Sequence, residues 1–171
     1  MKRRNRNHII EPVMEHYIHG QPTTFDICDG VIYDTVTIRH NFTTAIAFFQ
    51  DGHGKHIPAD TNMYMPGMLP QPQALLIRSI RLTGITSAIH HAGVRLQIGN
   101  RIYLTATALS FARKGKGYKL GIPLFIPSMM VFNLEVYWGF PVFLGQDFMG
   151  NQLYKQKLRA ELIGEIARPM Q

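Results

Sequence analysis

VRLQIGNRIYLTATALS, residues 94–110, decides the fold. Val94, Leu96 and Ile98 alternate with polar residues, Gly99-Asn100 supplies a turn, and Ile102, Leu104, Ala106 and Ala108 resume the alternation. A period of two is the one at which strand side chains return to the same face. Two such runs joined by a glycine-containing pair read as an antiparallel hairpin.

The same period recurs outward from this hairpin. VIYDTVTIRH (31–40) is rich in β-branched residues, and NFTTAIAFF (41–49) places Phe42, Thr44, Ile46 and Phe48 on one face. ALLIRSIRLTG (74–84) reads as a strand with Leu76, Ile80 and Leu82 on one face and Ile77, Ser79 and Arg81 on the other. Phe132, Leu134, Val136 and Trp138 alternate with Val131, Asn133, Glu135 and Tyr137, after the short extended segment IPLFIP (122–127). The tail, LYKQKLRAELIGEIARPMQ (153–171), admits a helix through Leu158, Leu162 and Ile166. It also admits a strand through Leu158, Ala160, Leu162 and Ile166 with Arg159, Glu161 and Glu165 facing solvent. Gly164 and Pro169 weigh against the helix. DGHGKH (51–56) is a loop, and IPADTNMYMPGMLPQPQ (57–73), with four prolines, is a long irregular connection. The pattern therefore predicts an all-β domain of about eight antiparallel strands, a β-sandwich or barrel.

With 171 residues the chain suits one domain with a proper core. The most apolar stretch, GIPLFIPSMMVFNLEVYWGFPVFLG (121–145), contains Pro123, Pro127 and Pro141 and no run long enough to span a membrane as a helix. Charged residues make up only 17% of the chain, which leaves more apolar or uncharged surface than a free monomer usually shows; this suits a protein that lives in an assembly and equally an ordinary β domain rich in Thr, Asn and Gly. The net charge of +7 makes polyanions plausible neighbours. Lys2, Arg3, Arg4 and Arg6 form a basic, solvated run. ARKGKGYK (112–119) is a second basic segment, in which Arg113, Lys114, Lys116 and Lys119 suit a polyanion and Tyr118 suits stacking on a base.

Chemistry is harder to find. Cys28 is the one cysteine, so neither a disulfide nor a cysteine-rich zinc site is available, and its setting in FDICDG, between two acids, disfavours thiolate chemistry. His53 and His56 have the wrong spacing for a His-x-His metal pair, and the adjacent His90 and His91 point to opposite faces if that segment is extended. No phosphate-binding loop or nucleophile elbow is present. No catalytic residue, metal, cofactor or small-molecule substrate is expected.

ALLIRSIRLTG, VRLQIGNRIYL, IPLFIPSMMVFNLEVYW and the closing segment ending in ARPMQ resemble, in order and character, the small capsid proteins of tailless icosahedral bacteriophages. The resemblance covers roughly residues 74–171. It implies a single jelly roll of eight strands in two facing sheets, here residues 21–171, preceded by a short basic arm over residues 1–20. It further implies a capsid subunit, located in the virion and made in the host cytoplasm, that associates with its own copies and with other capsid proteins. Lys2, Arg3, Arg4 and Arg6 would then contact the genome or an internal membrane. Phe140 and Phe143, with Pro141 and Val142 between them, and Met63, Tyr64, Met65 and Met68 in the long loop, would meet neighbouring subunits. Other readings stay open on the residues: a phage vertex, spike or attachment β-sandwich, a cupin-like metal enzyme, and a basic nucleic-acid-binding β-barrel.

Overall fold

The computed structural model describes residues 25–41, 45–50, 55–111, 117–146 and 149–169. Eight strands dominate: β1 (Phe25–Arg39), β2 (Ile46–Phe48), β3 (Ala74–Thr83), β4 (Gly93–Ile98), β5 (Arg101–Thr107), β6 (Tyr118–Ile126), β7 (Phe132–Tyr137) and β8 (Lys155–Pro169). Among the described residues the helical pieces are a 3-10 turn at Ser87–Ile89 and a single turn, α1, at Ala108–Phe111.

The strands form two antiparallel sheets, ordered β1-β8-β3-β6 and β2-β7-β4-β5. Only β4 and β5 are neighbours both in the chain and in a sheet. They are the hairpin of residues 94–110, turned at Gly99, whose φ of 57° suits glycine. The registers place the β1–β2, β3–β4, β5–β6 and β7–β8 connections at one end of the sandwich, the upper end. The β2–β3, β4–β5 and β6–β7 connections, the start of β1 and the finish of β8 lie at the lower end.

The inner faces bury what the period of two promised. Val94, Leu96 and Ile98 sit opposite Val136, Leu134 and Phe132, and all six are buried. Ile32, Val36 and Ile38 from β1 and Leu158, Ala160 and Leu162 from β8 meet them from the other sheet in one continuous core. Each large apolar side chain so buried contributes about 1.5–3 kcal/mol, which makes this layer the main source of stability. The tail is thus a strand. Fifteen residues of β8 pair in register with all of β1, which runs straight through Asp29-Gly30, a dipeptide that commonly marks a turn.

Three expectations from the pattern need correction, and each has a local cause. In β3 the expected face of Leu76, Ile80 and Leu82 is broken by a bulge at Arg78, because Ile77 pairs with Gly164 while Ser79 pairs with Ile163. An extra residue flips the side chains before it. Leu75 and Ile77 therefore join Ile80 and Leu82 in the main core, and Leu76 turns outward into a small cluster with Ala74, Ala167, Ile27 and Phe125. Gly164 makes the bulge possible, since a Cβ there would overlap the Leu76 carbonyl oxygen.

In β5 the register slips at Tyr103, so Ile102 is exposed rather than inward, and α1 ends the strand before Ala108. The third correction concerns Glu161 and Glu165, expected in solvent. Both are buried against arginines: Glu161 on Arg81 and Arg159, Glu165 on Arg78 at 2.5 Å. Of the run at 41–49, Ile46–Phe48 forms β2, while Phe42 and Thr44 lie outside the described residues.

The long connection after β2 has a structural task. Asn62 accepts the Tyr33 N–H at 2.8 Å and donates to the Val31 carbonyl at 2.6 Å, and the Thr61 hydroxyl donates to the Tyr33 carbonyl at 3.0 Å. These bonds cap part of the free edge of β1, the kind of edge that otherwise recruits stray strands.

Candidate functional site

Ionisable groups in the described residues mostly neutralise one another. Asp26 pairs with Arg168, Asp60 with Lys157, Glu135 with Arg95, and Glu161 and Glu165 with the arginines already named. Asp34 is the most deeply buried acid among the described residues. It projects from the inner face of β1, is 1% exposed, and accepts from Lys55 Nζ at 2.6 and 2.8 Å and from the Phe49 N–H at 2.6 Å. Both donors tie β1 to the segment after β2, so the pair reads as a structural clamp.

Asp60 is held below its ordinary pKa of 3.8 by the Lys157 ammonium and by the His56 backbone N–H. Among the described residues no group of three or more His, Cys, Asp and Glu could hold a metal ion. No helix among them is long and apolar enough to cross a membrane. The Cys28 thiol is half-buried, 3.9 Å from the Ile166 carbonyl.

Exposed apolar side chains gather at the two ends. At the upper end the β7–β8 connection alternates: Phe140 and Phe143 are 75% and 62% exposed, while Val142 and Leu144 are buried in the core. Val142, expected at an interface together with the phenylalanines, is therefore an anchor for them, and its carbonyl accepts the Asn41 N–H at 2.9 Å. The His40 ring lies edge-on to Phe143 and to exposed Tyr154, and its Nδ1 accepts the Leu144 N–H at 3.3 Å. The aromatic side chains are held out on a fixed scaffold.

At the lower end a groove of about 1110 Å³ opens where the edges of β5 and β6 meet. Tyr103, Ile122, Leu124, Met129 and Val131 line it, and Ile122 is 79% exposed. Ile122 stands out because β6 carries extra residues between Lys119, opposite Ser79, and Leu124, opposite Ile77. A proline within a strand run signals such an edge irregularity, and Pro123 was that signal in the sequence. Of the methionine loop, Tyr64 is exposed, whereas Met63, Met65 and Met68 are half-buried, with Met63 packed on the main core.

The basic segments divide. Lys2, Arg3, Arg4 and Arg6, and Arg113, Lys114 and Lys116, lie outside the described residues. Lys119 is exposed, but on β6 rather than in a loop. Tyr118, a candidate for base stacking, turns inward onto the core with its ring 4.9 Å from that of Phe111. Among the described residues, cations without an ion pair are Arg39, Arg101, Lys119 and Lys155. Arg39 and Lys155 are direct partners across β1 and β8, a pairing no sequence pattern announces.

The sequence matches no protein-family model and no curated protein.

Proposed function

We propose that this chain is a structural virion protein: a single jelly-roll subunit that associates with copies of itself into an icosahedral phage shell enclosing the genome. The jelly-roll reading is supported by the sheet orders, in which five of the six strand pairings join strands far apart in the chain. The observation that carries the functional reading is the pair of apolar ends. Phe140 and Phe143 above, and Ile122, Met129 and Val131 below, are large side chains that stay exposed while a continuous apolar core is buried between the sheets. Patches of this kind mark surfaces that meet protein.

The cupin-like alternative expects polar, ligand-binding side chains on the inner sheet faces. Here those faces carry Ile, Leu, Val and Phe, and their charged pair, Asp34 with Lys55, closes on itself. The test is light scattering coupled to size exclusion, at low and high salt, with electron microscopy of large fractions. Wild-type protein is expected as capsomer-sized oligomers or particles. Phe140→Ser with Phe143→Ser is expected to run near the 19.5 kDa monomer and to keep the far-ultraviolet circular dichroism of the folded wild type. A wild-type monomer under every condition, or assembly indifferent to both substitutions, overturns the reading.

A further inference from the structure

We infer that the upper end of the outward β1–β8 face carries a cleft that binds the phosphates of nucleic acid. Ile32, Val36 and Ile38 point into the core, so Thr35, Thr37 and Arg39 point outward, opposite Arg159, Lys157 and Lys155. The register therefore stacks a column of cations on β8 and sets Arg39 directly beside Lys155. Like charges directly opposite one another destabilise a sheet. Elsewhere this chain avoids that cost by pairing: Arg78, Arg81 and Arg95 each have a glutamate, and Arg159 has Glu161. Arg39 and Lys155 have no such partner, and the third cation beside them, Lys157, shares its ammonium with one acid, Asp60, at 3.0 Å.

Thr37, Arg39, Lys155, Gln156 and Lys157 enclose a cleft of about 490 Å³. Its excess positive charge and its threonine hydroxyl match phosphate oxygens. No large apolar side chain lines it, which favours a hydrated polyanion over a bilayer, where an apolar anchor normally accompanies the charges. The cleft lies at the opposite end of β1 from Phe25, the end nearest in sequence to the N-terminal run, and a fifteen-residue strand is about 50 Å long. The five side chains that line the cleft all belong to β1 and β8. The inference stands on the cleft and does not require a shell, so it is tested at concentrations where the chain is monomeric.

The probe is a fluorescent oligothymidylate, followed by anisotropy across a salt series. The variant is Arg39→Gln with Lys155→Gln, made in the full chain and again in a chain with Lys2, Arg3, Arg4 and Arg6 all changed to Gln. Losing two phosphate contacts should flatten the log–log salt slope by about 1.4, so that between about 50 and 200 mM salt the parent loses about sevenfold more affinity than the variant. The flattening is expected in both backgrounds. Arg101→Gln with Lys119→Gln removes the same charge elsewhere and is expected to leave the slope alone. An unchanged slope in the cleft variant, or an equal change in the remote pair, overturns the site. Loss of binding to phosphatidylserine vesicles with oligothymidylate binding intact overturns the choice of partner.

Discussion

The Asp34–Lys55 clamp offers the sharpest test of how this sandwich is held together. Asp34 stands among Ile32, Val36 and Ile38 on the inner face of β1, with both carboxylate oxygens on the Lys55 ammonium and one on the Phe49 N–H. Changing Lys55 to Met keeps most of the aliphatic stem but leaves a carboxylate that is 1% exposed with a backbone N–H as its remaining donor. Removing one partner of a buried pair costs about 3–5 kcal/mol. For a chain of this size that is a fall in melting temperature of about 10 °C.

The companion change, Asp34→Asn, retains an acceptor for Phe49 and removes the charge. When both changes are combined, the amide on β1 has no charge that needs the ammonium, and the thioether opposite it brings none. The stability of the double variant should therefore return to within about 1–2 kcal/mol of wild type, well above the sum of the single losses. Urea denaturation of the four proteins completes the cycle. Additive losses, or a Lys55→Met cost below about 1 kcal/mol, would refute the view of this pair as a desolvated, mutually dependent clamp.

Gly164→Ala should cost about 2–3 kcal/mol by thermal melting, because the new methyl group meets the backbone of Leu76 and Ile77. Gly121→Ala, with nothing within 4 Å, should stay within about 0.5 kcal/mol, and equal effects would sink the account of the bulge. Val142→Ser should lose about 2–4 kcal/mol in urea, while Phe140→Ser leaves monomer stability within about 0.5 kcal/mol; the reverse order would contradict the anchor-and-projection reading. Asp60 has a depressed pKa, so its contribution is complete above the unfolded value of 3.8 and disappears as pH falls through the lower folded value. Asp60→Asn should therefore be less stable than wild type above about pH 5 and converge with it in acid, and a gap independent of pH would disprove the linkage.

The strands were legible in the sequence because burial on one face imposes a period of two. Val94, Leu96 and Ile98 could be placed from that alone, as could Phe132, Leu134 and Val136, whose pairing partners the sequence does not name. Where a bulge adds a residue the same reasoning fails, because periodicity assumes one residue opposite one. Leu76 and Ile102 were assigned to the wrong face for this reason, and the partners that create the slips, Gly164 and Leu96, belong to other strands. Glu161 and Glu165 were misjudged because burial depends on arginines of β3, which local sequence does not bring near.

The candidate surfaces divide in the same way. Phe140 and Phe143 stood out by composition, since aromatic residues in a connection need a reason. That Val142 anchors them, and that Ile122 projects from β6, depends on register. The sequence by itself determined an all-β chain, the position of most strands, its apolar connections and its excess of positive charge, all of which follow from residue type and local spacing. The tertiary structure alone decided which sheet each strand joined, which acids were neutralised, and that Arg39 would lie beside Lys155. Five of the six strand pairings in the two sheets are long-range, and contacts between distant strands leave no periodic trace in either strand.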